Sequence, residues 1–290
     1  MKVMVIGTGQ MGLGIAQVMA DKGHTVLLNN LDHTSPSIGV QKIKERMARA
    51  VAKGRKTKEE ASALISKLKA TNHLKDAAKC DMIFEALAED VELKGSVFQQ
   101  LDSICQPDCI FATNTSSVSI TRLAAYTRRP EKFIGMHFMN PVPVMKLVEI
   151  IPGLATEEGV IKMIYDLTKE LGKVPVEVRD VPGFVSNRVL QAMINEAICC
   201  LYEGVGTAEA IDNVMKYGMN HPMGPLETAD LIGLDTVLMI QQTMYEGYGL
   251  EKYHPSPLLT QYVNAGWLGK KSGRGFYFYE NGKKISEKIG

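Results

Sequence analysis

Three polar side chains occur in or directly after apolar stretches of this 290-residue sequence, where they could transfer a proton. Ser116 follows the apolar run Ile110–Asn114, His137 lies inside the next run, and Glu149 lies inside the segment KLVEIIP. A buried carboxylate needs a partner because an unpaired buried charge is very costly. An imidazole titrates near neutral pH and suits general acid–base work. The sequence therefore predicts a His137–Glu149 pair beside the Ser116 hydroxyl.

The elements that position these residues are nearly continuous apolar runs separated by amphipathic stretches. Strands that are buried on both faces have this composition, as in a parallel sheet covered by helices. The pattern predicts an α/β fold with a Rossmann-type, doubly wound, mainly parallel sheet. The runs are Val3–Gly7, Thr25–Asn29, Met82–Leu87, Ile110–Asn114 and Phe133–Phe138, and KLVEII and VPVEV extend the sheet.

Two regions depart from the strand pattern. Residues 41–74 are typical of two charged helices joined at Gly54, which we expect to form a helical arm. Pro182 and Gly183 interrupt the chain, and apolar residues then recur at helical spacing. We therefore expect a dinucleotide-binding domain over residues 1–184 and an all-α substrate and dimerisation domain over residues 185–290.

The sequence GTGQMG follows the first predicted strand and opens a helix, which is the context that a dinucleotide-binding turn requires. The first glycine permits the tight turn, the second lets the backbone approach a pyrophosphate, and the third allows close packing. The helix N-terminus supplies unpaired N–H groups to the phosphates. The candidate cofactor-binding residues here are Gly7, Gly9, Gln10, Met11 and Gly12.

The choice between NAD and NADP depends on the end of the second predicted strand. An acidic residue usually binds the adenosine ribose there, but this chain has Asn30. An amide can bind the 2′-hydroxyl, yet it does not repel a 2′-phosphate. No arginine follows to bind that phosphate, although His33, Thr34 and Ser35 are nearby, and Asp32 is an alternative ribose contact. The sequence favours NAD and leaves NADP open.

Composition excludes several classes of function. The net charge of +1 gives no general reason to bind nucleic acid or an anionic membrane, and no apolar run approaches the ~18 residues of a membrane span. Five cysteines without CxxC or ligand spacing predict small buried side chains in a reducing compartment, hence the cytoplasm, and no metal site. These cysteines are Cys80, Cys105, Cys109, Cys199 and Cys200.

Several motifs in fixed order resemble one protein family. The motifs are GTGQMG, FEALAED, NTSS, GMHFMNP, VPGFVSNR and HPMGP. Over essentially residues 1–280 the chain resembles the bacterial short-chain L-3-hydroxyacyl-CoA dehydrogenases. The resemblance implies hydride transfer between NAD(P)(H) and a short 3-hydroxyacyl-CoA, with 3-hydroxybutyryl-CoA and acetoacetyl-CoA as the expected pair.

The resemblance also implies roles for particular residues. Ser116 matches the active-site serine, His137 the catalytic base and Glu149 its orienting carboxylate, while Ser117 reads as a helix cap. Asn187 matches an asparagine that the second domain contributes to the site. Ser116 and Asn187 would then hydrogen-bond the substrate oxygens as charge develops on them. Further cofactor contacts are expected at Glu89, Lys94, Asn114, Asn140 and Lys271.

The helical arm carries a basic patch. Arg49 and Lys53 are four residues apart, so they share one helix face, and they match the family's coenzyme-A contacts. The neighbouring cations are read as a solvated face, and nucleic acid is disfavoured because interleaved aromatic residues are absent. These neighbours are Lys42, Lys44, Arg46, Arg55, Lys56 and Lys58.

Two alternative functions remain open at this point. A 3-hydroxyacid dehydrogenase of the gulonate type would share the Ser–His–Asn arrangement but would need no basic surface for coenzyme A. A non-catalytic dinucleotide-binding structural protein would not need an intact set of Ser116, His137, Glu149 and Asn187. The apolar helices of the second domain also predict a homodimer or a higher homo-oligomer.

Overall fold

The computed structural model describes residues 1–31 and 35–285. Asp32, considered above as an alternative ribose contact, lies outside the described residues, as do His33 and Thr34. The chain forms two compact units, the first spanning Met1–Val181 and the second beginning at Pro182. Each unit is described by itself.

The first unit is built on one large sheet. Its strands are β1 Lys2–Ile6, β2 Thr25–Asn29, β3 Leu68–Ala70, β4 Met82–Glu85, β5 Ile110–Thr113, β6 Phe133–Phe138, β7 Leu147–Pro152 and β8 Val174–Glu177. Among the described residues these eight strands lie in the order β3-β2-β1-β4-β5-β6-β7-β8. Every neighbouring pair is parallel except β6 and β7, which are antiparallel. The predicted Rossmann-type, mainly parallel sheet is confirmed.

Six helices of the described part of this unit connect and cover the strands. They are α1 Gln10–Asp21, α2 Pro36–Ala52, α3 Lys58–Ser66, α4 Val91–Asp102, α5 Ile120–Ala124 and α6 Glu158–Glu170. Their apolar faces complete the core with the almost fully buried central strands. Parallel strands covered by helices place their carboxyl ends at one edge, where ligands bind in folds of this kind.

The predicted arm consists of two helices, α2 and α3, as expected. Their apolar faces pack into the core of the unit, with Ile43, Met47 and Leu64 nearly inaccessible to solvent. A capping box at Thr57, closed by Glu60, fixes the start of α3. The segment then ends in the edge strand β3, which pairs with β2. Three residues are too few to show a strand period, so sequence analysis had placed them in the helical segment.

The second unit is helical, as predicted. Its helices are α7 Ser186–Tyr202, α8 Ala208–Asn213, α9 Pro225–Ile232, α10 Leu234–Tyr248 and α11 Pro257–Asn264, followed by strands β9 Phe278–Glu280 and β10 Lys283–Ile285. The β9–β10 hairpin is an addition to the expected all-α domain. Asn281 and Gly282 link the two strands with positive φ angles of 49° and 75°, as a two-residue hairpin turn requires.

The cysteines are free thiols. Cys80, Cys105 and Cys109 are buried, and Cys199 and Cys200 are half-buried. Within residues 1–31 and 35–285, no helix is both long and apolar enough to cross a membrane. In the same residues, no group of three or more histidine, cysteine, aspartate or glutamate side chains is arranged to hold a metal ion.

Candidate active site

His137 and Glu149 face each other across the antiparallel pair of strands β6 and β7. They are direct partners in the strand register, although they are 12 residues apart in the chain. His137 Nδ1 lies 2.8 Å from Glu149 Oε2, and both side chains are buried. A carboxylate only accepts hydrogen bonds, so the Nδ1–H of the imidazole donates to Glu149. The structure thus brings together the pair that the sequence predicts.

Ser116 completes a hydrogen-bonded chain of three side chains, Ser116, His137 and Glu149. It follows β5, the parallel neighbour of β6, and its Oγ lies 3.1 Å from His137 Nε2. With the neutral imidazole proton on Nδ1, Nε2 is left to accept from the Ser116 hydroxyl. A substrate hydroxyl that takes the place of this donor would present its proton to the same nitrogen.

Glu89 holds the loop that carries Ser116. Its Oε1 accepts hydrogen bonds from the backbone N–H of Ser116 at 2.6 Å, from that of Ser117 at 2.9 Å and from the Thr115 hydroxyl at 2.6 Å. Burial acts to raise the pKa of Glu89, but the Lys94 ammonium and these hydrogen bonds outweigh it and lower the pKa below its usual value. The carboxylate is therefore kept charged and fixes the backbone at Ser116.

The expected helix cap at Ser117 is wrong. The N-cap of α5 is Ser119, whose side chain accepts a hydrogen bond from the Arg122 N–H at 3.2 Å. The Ser117 hydroxyl instead donates to Glu89 at 3.1 Å. The error arose because α5 begins at Ile120, so its cap is two residues further on than the serine that the pattern suggested.

The glycine-rich turn fits the pyrophosphate of a dinucleotide. Gly7 has φ +108°, and a Cβ there would lie 2.3 Å from the carbonyl oxygen of Ala86, while a Cβ on Gly12 would lie 2.0 Å from that of Gly7. A Cβ on Gly9 would meet nothing within 4 Å, so this part of the turn is open to a ligand. The helix that starts at Gln10 directs its unpaired N–H groups to the opening.

A cleft of about 610 Å³ extends from this turn along the carboxyl edge of the sheet. Asn30 borders it, as expected for the residue at the ribose position. Lys42 of α2 borders the same cleft, although sequence analysis assigned it to the solvated face of the arm. The sequence could not show this, because only the packing of α2 brings Lys42 to the cleft that Asn30 lines.

The other expected cofactor residues in the first unit have defined contacts. Asn140 Oδ1 accepts from Gln10 Nε2 at 2.9 Å, which links the loop after β6 to the glycine-rich turn. Asn114 Oδ1 accepts from the Phe138 N–H at 2.9 Å and so joins β5 to β6. Met11 is half-buried against the core. These contacts hold the edge of the sheet together whether or not each residue also contacts a cofactor.

Lys94 is buried among carboxylates. Only 1% of its side chain is exposed, and its Nζ lies 2.7 Å from Glu85 Oε1 and 3.2 Å from Glu89 Oε2. Glu85 was missed by sequence analysis, although it lies inside the apolar run Met82–Leu87 and has no exposed surface. The rule that selected Glu149, a carboxylate inside an apolar run, would also have selected Glu85.

The remaining expected residues lie in the arm and in the second unit. Arg49 is in the last turn of α2 and Lys53 is its C-cap, and both are exposed. Asn187 lies in the first turn of α7 and is half-buried. Lys271 forms an ion pair with Asp235 at 2.6 Å within the second unit. The structure therefore groups Ser116, His137 and Glu149 in one unit, and Asn187 and Lys271 belong to the other.

The chain matches two family models. Residues 2–181 match the model for the NAD binding domain of 3-hydroxyacyl-CoA dehydrogenase, and residues 183–279 match the model for the C-terminal domain of the same enzyme. The first match identifies the cofactor of the glycine-rich turn as a dinucleotide of the NAD type.

Individual relatives cover almost the whole chain. A probable 3-hydroxybutyryl-CoA dehydrogenase of Bacillus subtilis is 54% identical and is covered over 97% of its length, with 96% of this chain aligned. A 3-hydroxybutyryl-CoA dehydrogenase of Bradyrhizobium diazoefficiens is 50% identical, with 98% of this chain and 97% of the relative aligned. The crystal structure of (S)-3-hydroxybutyryl-CoA dehydrogenase from Ralstonia eutropha superimposes with a TM-score of 0.94 at 43% identity, covering 97% of this chain and 99% of that one. With the fold and both family models in agreement, this chain belongs to the 3-hydroxyacyl-CoA dehydrogenases, oxidoreductases that act on a CH–OH group.

Proposed function

We propose that this protein is an (S)-3-hydroxybutyryl-CoA dehydrogenase that interconverts 3-hydroxybutyryl-CoA and acetoacetyl-CoA. The observation that carries the proposal is the line Ser116–His137–Glu149, built at the edge of the sheet that also bears the glycine-rich turn. Relatives named as 3-hydroxybutyryl-CoA dehydrogenases, at 46–54% identity, support this substrate.

The proposed chemistry assigns the proton to His137. When bound, the nicotinamide cofactor accepts or supplies the hydride at the substrate carbon. During oxidation His137 Nε2 takes the hydroxyl proton, and Glu149 holds Nδ1–H and stabilises the imidazolium. During reduction the imidazolium returns the proton to the forming alkoxide. The Ser116 hydroxyl donates a hydrogen bond to a substrate oxygen as negative charge develops there, and Asn187 is proposed as a further donor.

Coenzyme A is the proposed reason for the basic arm. Arg49 and Lys53 are both exposed near the end of α2, so their cationic groups are accessible to the phosphates of the substrate. A free hydroxyacid has no such phosphates. This difference separates the proposed activity from that of a gulonate-type dehydrogenase.

We propose NAD(H) as the main cofactor and NADP(H) as a second candidate. The match of residues 2–181 to an NAD binding domain supports NAD. One observation favours NADP: Asn30 adds no negative charge to the cleft, and Lys42 on the same cleft supplies a cation for a 2′-phosphate. A carboxylate at position 30 would repel that phosphate, whereas the amide does not.

The decisive experiment measures initial rates of acetoacetyl-CoA reduction with NADH and NADPH in parallel, and of L-gulonate oxidation with NAD. We expect rapid turnover of acetoacetyl-CoA, faster with NADH, and negligible oxidation of gulonate. Absence of acetoacetyl-CoA turnover with both cofactors would refute the proposal. A strong preference for NADPH would overturn only the choice of cofactor.

The assignment of the base is tested with His137→Ala. We expect kcat to fall about 10³-fold, within the range typical of general acid–base catalysis, while the Kd for NADH stays within twofold of the wild type. Near-normal turnover in this variant would remove His137 from the catalytic role.

We also propose that the protein is a cytoplasmic homodimer. Large apolar side chains of the second unit are exposed to solvent, among them Val205 at 71%, Tyr217 at 80% and Met219 at 63%. Contiguous exposed apolar surface is typical of a protein interface, and Val205 lines one apolar pocket with Val214 and Met215. The free cysteines fit a reducing compartment. A monomeric mass by light scattering at micromolar concentration would contradict the dimer.

A further inference from the structure

Glu85, at the carboxyl end of β4, contacts the loop that carries Ser116 by two routes. Its side chain has no exposed surface. Glu85 Oε1 accepts hydrogen bonds from Lys94 Nζ at 2.7 Å and from the Leu87 N–H, and Oε2 accepts from the Thr113 hydroxyl at 2.6 Å. All three partners donate here, so a carboxylate accepts from every one, whereas an amide that turned its NH2 group to Thr113 would leave the Thr113 hydroxyl proton without this acceptor.

The first route passes through Lys94 and Glu89. The Lys94 ammonium lies between Glu85 and Glu89, at 2.7 Å from one carboxylate and 3.2 Å from the other. Glu89 in turn accepts the Ser116 N–H at 2.6 Å. If the Glu85 charge is removed, the Lys94 ammonium has one carboxylate partner in place of two. We expect Lys94 to shift as a result, and Glu89, which it contacts, to shift with it.

The second route passes through Thr113 and Thr115. Thr113 Oγ1 donates to Glu85 and accepts from the Thr115 N–H at 3.2 Å. Thr115 directly precedes Ser116, and its own hydroxyl donates to Glu89 at 2.6 Å. The two routes therefore meet at Glu89 and Thr115, which hold the backbone of Ser116 in position.

We infer that Glu85 is a positioning residue for the reaction, which holds the Ser116 hydroxyl against His137 through Lys94–Glu89 and through Thr113–Thr115. The inference rests on the proposed function, because it requires Ser116 to act in turnover. Glu85 contacts Lys94, Leu87 and Thr113, and through Lys94 and Thr113 it reaches the loop of Ser116.

The test begins with Glu85→Gln. The amide keeps the shape of the side chain but must turn its NH2 group toward a donor, either Thr113 or the Lys94–Leu87 pair. At saturating NADH we expect kcat for acetoacetyl-CoA reduction to fall about tenfold, because small displacements of positioned groups are costly in rate. The KM for acetoacetyl-CoA stays within twofold. Thr113→Val, which removes the second route and no charge, lowers kcat in the same direction by a smaller factor.

A double-mutant cycle with Ser116→Ala distinguishes positioning from a general structural role. If Glu85 acts through the serine, Glu85→Gln lowers the kcat of Ser116→Ala by less than twofold. A further tenfold loss in that background would overturn the inference, and so would wild-type kcat in both Glu85→Gln and Thr113→Val.

Asp102→Asn is the matched control. Asp102 is a buried carboxylate at the C-terminal end of α4, whereas Lys94 lies near the start of this helix. Asp102 pairs with Arg129 at 2.6 Å and with Arg128 at 2.8 Å. We expect this variant to unfold at lower temperature with kcat unchanged within twofold. Absence of acetoacetyl-CoA turnover in the wild-type protein would refute the proposed function itself, whereas full turnover in His137→Ala would remove only His137 from the catalytic role. Loss of turnover in His137→Ala and Ser116→Ala, but not in Glu85→Gln, would refute only the inference about Glu85.

Discussion

The buried or half-buried carboxylates beside Ser116 and His137 in the first unit contact an ammonium or an imidazole. Asp212 and Asp230 of the second unit are held instead by backbone N–H groups and tyrosine hydroxyls. Glu85 and Glu89 share the Lys94 ammonium, and Glu149 contacts the imidazole of His137. These partners connect each carboxylate to the loop of Ser116 or to the imidazole of His137. Burying these carboxylates costs free energy, and the contacts that offset this cost also fix the positions of Ser116 and His137.

In the second unit, Asp230 is held by neutral donors. It accepts hydrogen bonds from the backbone N–H groups of Phe276 and Tyr277 and from the Tyr279 hydroxyl. Among the described residues, no lysine or arginine forms an ion pair with Asp230. Burial raises the pKa of Asp230 to about 6, although these hydrogen bonds oppose the rise.

Buried carboxylates therefore have two different roles in this protein, one at the residues around Ser116 and His137 and the other in holding the second unit together. Asp230 and Asp212 attach the segment around Tyr277 to the helices. The Tyr277 N–H donates to Asp230, and the Tyr277 hydroxyl donates to Asp212. Burial by itself therefore does not identify a reactive carboxylate. What the partner contacts next is decisive. The partners of Glu85 and Glu149 lead to the loop of Ser116 or are the imidazole of His137, whereas the arginine partners of Asp102 do not.

The largest effect that tests this comparison is expected for Glu149→Gln. The amide can turn its NH2 group to His137 Nδ1 and force the ring proton onto Nε2, the nitrogen that must accept. We expect kcat to fall about 10³-fold, or about 4 kcal/mol, with little change in NADH affinity. Initial rates and a fluorescence titration with NADH measure both. Glu177→Gln, an exposed glutamate on the neighbouring strand β8, is the control and should keep kcat within twofold.

The second effect concerns stability against pH. With its pKa raised to about 6, folded Asp230 keeps its proton while the unfolded chain loses it from about pH 4 upward. This residue therefore costs stability that grows as pH rises to about 6 and then stays constant, up to about 3 kcal/mol. Asp230→Asn removes that dependence, so the stability of the variant relative to the wild type should rise between pH 4 and pH 7.

Asp102 provides the opposite case in the first unit. Burial would raise its pKa, but hydrogen bonds from Arg128 and Arg129 outweigh burial and lower it. Its contribution is therefore present near neutral pH and is lost as pH falls through the folded-state pKa. Unfolding midpoints of the wild type, Asp230→Asn and Asp102→Asn from pH 3 to pH 8 should give differences of opposite slope. Parallel curves for the two variants would contradict the comparison.

The smallest effect is expected for Tyr277→Phe. The Tyr277 hydroxyl donates to Asp212 Oδ2 at 2.8 Å, and hydrogen bonds to charged groups contribute roughly 1.5–3 kcal/mol. We expect the unfolding free energy to fall by about 1.5 kcal/mol. In chemical denaturation the control Tyr202→Phe, at a residue that is 53% exposed, should leave stability unchanged. A tenfold loss of kcat in Tyr277→Phe would mean that the carboxylates of the second unit take part in turnover after all.

Local patterns in the sequence were sufficient for the Rossmann-type sheet, the glycine-rich turn and the expectation that Ser116, His137 and Glu149 lie together; the catalytic roles of these three residues stay predictions. Apolar periodicity reports burial directly, and a strand–GTGQMG–helix order can be read along the chain. Short features were not predicted correctly, because a few residues do not show a pattern that can be recognised. Strand β3 has three residues, and the cap at Ser119 differs from the predicted Ser117 by only two positions.

Only the tertiary structure decided which of these residues meet. His137 and Glu149 are opposite each other because β6 and β7 pair in an antiparallel register, and Glu89 reaches the Ser116 N–H from 27 residues away. The roles of Glu85 and Lys42 likewise depend on contacts between distant segments. The sequence determined which strands are buried, since their burial follows from local apolar composition, but it did not show the burial of Lys94. The partners of the buried groups follow from strand order and helix packing, which depend on free energies summed over the whole unit.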